Sequence, residues 1–104
     1  MADLFTINMN YRKGMEQACR LGELAQKLRT ESTRYMEETM TAVSQNWQGE
    51  NAAAYLAKCR LQQEKMIKTA DKLQKAANTT SRIVKNTYDA EMRAFHIAQE
   101  RTYQ

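Results

Sequence analysis

No proline occurs anywhere in the 104-residue chain, and only three glycines do. Proline fixes φ and removes an amide donor, so a chain without it holds nothing that must stop a helix. The tracts of Ala, Leu, Met, Gln, Glu, Lys and Arg that fill this one favour uninterrupted helix. Rare residues gather in one place, NWQGENAAAY (46–55), where the single tryptophan, Trp47, stands two positions before Gly49. Gly49 can take backbone angles closed to other residues and so can end a helix in the left-handed conformation. Glu50 and Asn51 suit the start of another helix, where unpaired amides attract acceptors and negative charge. The pattern predicts an all-α helix-turn-helix, with helix one over about 10–45, a turn at 46–50 and helix two over about 51–100. Tyr55, eight residues after Trp47, is placed to face the indole across the reversal, with Ala52, Ala53 and Ala54 leaving it room.

Ahead of helix one, DLFTIN alternates Phe5 with Ile7 and reads as extended, with Asn10 as the N-cap whose side chain accepts from first-turn amides. Within helix one, Gly14, Leu21, Leu28, Tyr35 and Ala42 recur every seven residues, interleaved with Ala18, Ala25, Ser32 and Thr39. Leu24, Met36 and Val43 broaden this stripe. Helix two steps by four and three through Ala52, Leu56, Cys59, Gln63, Met66 and Ala70, then Leu73, Ala77, Thr80 and Val84, and on through Thr87, Glu91, Ala94 and Ala98. Both are coiled-coil seams whose small residues allow close approach. A second row on helix two, Ala76, Ile83, Ala90 and Ile97, has no element of a lone hairpin left to cover it, and predicts a dimer interface. A chain of 104 residues fits a single domain, 1–104, with a small core that a second chain would enlarge.

Several function classes fall away. The chain has a mean hydropathy of −0.78 and no window near the roughly 18 consecutive apolar residues of a membrane span. No basic stretch followed by an apolar run and a small-residue cleavage site marks a classical secretory signal. Cys19 and Cys59 lack CxxC spacing and His96 is the single histidine, so neither a metal site nor a disulfide framework is expected. In the predicted register the two cysteines differ in level by about 27 Å, far beyond bridging distance. Seams of Ala, Leu and Met offer no concave polar pocket, so no enzyme and no cofactor is expected, and Met9, Met15, Met36, Met40, Met66 and Met92 serve as gap fillers. Eight basic residues between Lys58 and Lys85 face two acidic ones, Glu64 and Asp71. A solvated bundle face is the plain reading of that charge. The functional alternatives are an acidic partner, an anionic membrane or nucleic acid, the last being weakest because no zinc set or aromatic stacking row accompanies the charge.

Trp47-Gln48-Gly49 between two helices, the small residues 52–54, Tyr55 and a length near a hundred residues together resemble the WXG family, the ESAT-like small proteins exported by type VII secretion systems. The resemblance covers essentially the whole chain. It implies a hairpin that pairs with another into a four-helix bundle, as homodimer or as heterodimer with a WXG-type or LXG-type helical chain. It also implies export in folded form without a cleaved signal, as substrate or as targeting partner of a larger toxin, through recognition by a secretion ATPase. The family's export signal joins the turn, here Trp47, Gly49 and Tyr55, to a C-terminal Tyr-x-x-x-Asp/Glu of the partner. In this chain Tyr88 has Glu91 at three residues and Met92 at four, with Asp89 adjacent, so the aromatic-acid pair is shifted by one. A second tail pattern, apolar-acid-apolar as in some Gram-positive members, would use Val84, Asp89, Met92 and His96. Helix two is expected to run past the base of the hairpin, leaving its tail free to stand beside a partner's turn. The alternative is an intracellular basic coiled-coil module, binding nucleic acid or anionic membrane, in which the Trp-Gly turn is only a turn.

Overall fold

The computed structural model describes residues 3–103, so Met1, Ala2 and Gln104 of the expected 1–104 domain lie outside the described residues. Two helices, α1 (Leu4–Asn46) and α2 (Glu50–Tyr103), form an all-α antiparallel hairpin. Neither is long and apolar enough to cross a membrane.

Helix one starts at Leu4, well before the expected position near residue 10. The residue that starts it is Asp3: its carboxylate accepts from the Thr6 amide at 2.8 Å and its carbonyl from the Ile7 amide at 3.0 Å. The side-chain bond satisfies one of the donors that a helix start leaves unpaired, and the carbonyl bond is the first of the helix itself. Asn10 is therefore interior to α1 and not its cap. The alternation of Phe5 and Ile7 misled because two helical positions lie about 200° apart, so one of the pair can be core and the other solvent in a helix as well as in a strand. Ile7 is 2% exposed and Phe5 70%. At the reversal only residues 47–49 are non-helical, since Asn46 closes α1 and Glu50 opens α2.

The seams follow the expected stripes until each slips by one residue. On α1 the buried positions run Ala18, Ala25, Ser32 and then Met36 and Val43, whereas Tyr35 and Ala42, which continue the heptad line, are exposed, as is Leu24, which was expected to broaden the stripe. On α2 the far end of the seam turns Tyr88 and Phe95 inward and leaves Thr87 and Ala94 exposed. The cause lies in the helix itself. At 3.6 residues per turn, a strict seven-residue repeat drifts about 20° per heptad, so a stripe on a straight helix must eventually take an extra residue. Ala25 to Met36, Ser32 to Val43 and Ala77 to Tyr88 are all eleven-residue steps.

Packing divides the hairpin into two compact units, a turn unit of Glu23–Gln74 and a base unit made of the first 22 residues with the stretch from Lys75 onward. In the turn unit the core is Ala25, Ser32, Met36, Val43, Ala52, Cys59 and Ala70. Ser32 is wholly buried without an unpaired group, because its hydroxyl donates to the Arg29 carbonyl at 2.9 Å. Arg29 and Asp71 tie the two helices at 2.7 Å, an exposed pair that contributes at most about 1 kcal/mol. A second, local ion pair joins Glu31 and Arg34 on α1. In the base unit Ile7, Ala18 and Ala77 are buried, and Gly14 lets α1 approach Val84 so closely that a Cβ there would lie 2.5 Å from Val84 Cγ2. Both cysteines are thiols, Cys19 exposed and Cys59 buried.

Candidate functional site

Two sets of the singled-out residues lie on the surface, one in each unit. In the turn unit the backbone of α1 carries its last bond into the link, from the Trp47 amide to the Val43 carbonyl at 2.8 Å, while the Asn46 side-chain amide donates to the Ala42 carbonyl at 3.0 Å. Gly49 has φ +106°, the positive value that its lack of a Cβ makes accessible. It stands directly before α2, where its carbonyl accepts from the Ala53 amide at 3.1 Å. Its conformation is therefore the one expected, and its place is the entry to α2, not the end of α1.

Held by this link, the Trp47 and Tyr55 rings meet at 5.6 Å with a 45° tilt. Each remains 42% exposed, so the contact closes the tip without removing either ring from solvent. Tyr55 has two further neighbours. Cys59, first by charge and then by hydrogen bonding, and after it Tyr35, raise the Tyr55 phenol above its ordinary value. Tyr35, expected in the seam of α1, thus joins the aromatic surface of Tyr55 instead. The signal that could have placed it is the eleven-residue spacing, which removes Tyr35 from the seam and puts it on the flank facing Tyr55. Half-exposed rings with polar edges suit protein recognition, because each couples apolar area to a hydrogen-bonding group.

In the base unit Tyr88 stacks on Tyr11 at 4.7 Å with a 44° tilt. Ile7, Tyr11, Val84 and Tyr88 line a cleft of about 120 Å³, which Ile83 and Thr87 border and in which Asn10 and Glu91 supply the polar groups. Tyr88 and Glu91 therefore do share one surface, as their spacing predicts, but the ring is half-buried against α1. The contact with Tyr11 accounts for this, with Ile7 from the first turn of α1 lining the same cleft: the segment at Tyr88, expected to be free, lies beside α1. Of the second tail pattern, Val84 and Met92 are half-buried while Asp89 and His96 are exposed, so these four do not form one surface. His96 meets Phe95 edge-on at 5.8 Å. The row Ala76, Ile83, Ala90 and Ile97 is exposed along its length, with Ile83 at 56% and Ile97 at 50%.

All eight basic residues from Lys58 to Lys85 are exposed. Comparison of the chain with family models, with characterised proteins and with solved structures gives no match.

Proposed function

We propose that this chain is a small non-enzymatic pairing protein of the WXG type, exported by a type VII secretion system or accompanying a larger substrate to it. The observation that carries the reading is the half-exposed Trp47 at the tip of the hairpin, held against Tyr55 by a link whose glycine has positive φ. A turn needs the glycine for its backbone. It does not need an indole, which contributes little as core where nearly half its surface stays wet, and whose remaining use is recognition. The dimer interface proposed with this reading is the Ala76, Ile83, Ala90 and Ile97 row, and the tail signal is Tyr88 with Glu91, presented together with Asp89 and Met92.

The test is export. In a bacterium with a working type VII system, Trp47→Ala should leave the protein folded, with helicity near wild type, and remove it from the culture supernatant. The near-isosteric pair Tyr88→Phe with Glu91→Gln keeps the stack on Tyr11 and removes the polar groups, so it probes the tail without unpacking the base. Export of Trp47→Ala at the wild-type level would sink the reading. Normal export of the tail pair alone would restrict the signal to the turn. The second reading, a basic module for anionic membrane or nucleic acid, draws on the eight exposed cations. It requires steeply salt-dependent binding to anionic vesicles or DNA, with no export.

A further inference from the structure

We propose that the cleft between Tyr11 and Tyr88 binds an alkylammonium group, the lysine side chain of a partner protein, with Glu91 as its counter-charge. The inference rests on the tail reading above for its use in export, names the ligand class of that surface, and concerns the base unit alone.

Three features of the cleft set its chemistry. Ile7 is buried, Val84 half-buried and Ile83 borders them, so the lining offers an apolar surface along which a methylene stem can lie. The Tyr11 and Tyr88 rings, 4.7 Å apart and tilted by 44°, line the same space, and each is only half-buried. A cation within about 6 Å of such a ring is attracted by the negative face of its π-system. Glu91 is the single ionised group in the lining of this cleft of about 120 Å³.

That carboxylate has no partner of its own. Glu91 is half-buried, yet it makes neither a hydrogen bond nor an ion pair among the described residues. One turn away on α2 stand Thr87, Tyr88, Ala94 and Phe95, none of them cationic. Arg93, two residues on, stands about 200° round the helix axis, and Arg12, next to Tyr11, lines a separate hollow with Glu16. A neutral ligand would take more water from Glu91 and return nothing, and an anion would be repelled. A primary ammonium offsets the charge, and its three donors find further acceptors in the Asn10 amide oxygen and the Thr87 hydroxyl. Lysine carries that head on a flexible four-carbon stem, which matches a cleft apolar at its base and charged at one edge.

The experiment titrates the whole chain, followed by NMR, with Nα-acetyl-lysine amide, with its uncharged norleucine analogue and with tetramethylammonium. The lysine amide should shift the Ile7, Tyr11 and Tyr88 side-chain resonances saturably, with a Kd of about 1 mM for so small a probe, and leave those of Trp47 and Tyr55 in place. The norleucine analogue should bind at least tenfold more weakly. Glu91→Gln should bring lysine down to the norleucine level while the circular dichroism melt stays near wild type. Equal binding of the two amides, full lysine binding by Glu91→Gln, or no saturable shift at the cleft overturns the proposal. Tetramethylammonium binding more tightly than the lysine amide overturns lysine as the occupant and assigns the cleft to a free quaternary cation. Export is read separately: a failed titration beside lost export of Tyr88→Phe with Glu91→Gln removes the ligand and keeps the tail signal, whereas a successful titration beside normal export does the reverse.

Discussion

The turn unit and the base unit are built from the same two helices, yet they finish their cores differently. In the turn unit small residues alternate with Met36 and Val43, and the seam buries seven side chains, including a serine whose hydroxyl is satisfied locally. In the base unit, among the described residues, Ile7, Ala18 and Ala77 are buried, while Ile83 and Ile97 stay exposed, as Leu24 and Leu61 do in the turn unit. Burial stabilises by about 25 cal/mol per Å² of apolar surface. A unit that leaves two isoleucines in solvent forgoes a contribution that a partner can still supply. The difference lies in the number of buried side chains, seven against three among the described residues, and not in exposed apolar surface, which both units keep.

The largest effect that sharpens this contrast compares a core deletion with a row deletion. Met36→Ala removes a side chain that is 4% exposed in the turn unit and should cost about 2–4 kcal/mol in urea unfolding of the isolated chain. Ile83→Ala in the base unit should change the stability of the same chain by less than about 0.5 kcal/mol. If Ile83→Ala proves as costly as Met36→Ala, the row is already covered in the isolated protein and the contrast collapses.

A smaller effect tests how closely the helices approach in the base unit. Alanine at position 14 gains about 1 kcal/mol of helix propensity over glycine, but its Cβ would meet Val84 Cγ2 at 2.5 Å, an overpacking that costs about 1–3 kcal/mol. Gly14→Ala should therefore destabilise slightly. Adding Val84→Ala should recover part of the loss, since it removes the two methyl groups in the way. A Gly14→Ala variant that is more stable than wild type would show that the helices yield at this point.

Much of this architecture is legible in the sequence, because a proline-free chain with one glycine-marked interruption has few ways to fold. Trp47 and Tyr55 meet as their spacing implies, and Ala18, Ala25, Ala70 and Ala77 are buried on the stripes that the heptads trace. The misreadings share a physical origin. Extending a seven-residue repeat along a helix of 3.6 residues per turn places Tyr35 and Ala42 inside and Tyr88 outside, each displaced by one position from where the straight helix puts its buried face. The start of α1 at Leu4 is set by Asp3, whose carboxylate is as good an acceptor as the Asn10 amide. Tyr11 is helical with either start, and its contact with Tyr88 holds that part of α2 beside α1, so the tail at Tyr88 is not free.

The smallest effects lie at opposite ends of the pH scale, one in each unit. In the turn unit the Tyr55 phenol is raised above 10.0, first by the Cys59 thiol and then by Tyr35. A group whose folded value is raised binds its proton more tightly in the native state, so its contribution is whole below about pH 10 and is lost as pH rises through the folded value. In the base unit the Asp3 carboxyl is lowered below 3.8 by its bond from the Thr6 amide, so its contribution is whole above that value and is lost as pH falls through the folded one. Alkali should therefore loosen the tip, and acid should fray the start of α1. Absorbance titration of tyrosinate in wild type and Tyr55→Phe should show the variant losing a phenol that titrates above the ordinary value, with Cys59→Ala bringing that phenol back toward it. Amide exchange at Thr6 and Ile7 should quicken in acid, and quicken at neutral pH in Asp3→Ala, while the Ala53 amide at the turn stays as protected as before. If acid instead opens the turn first, the contrast between a turn unit with the fuller core and a base unit with the sparser one is wrong.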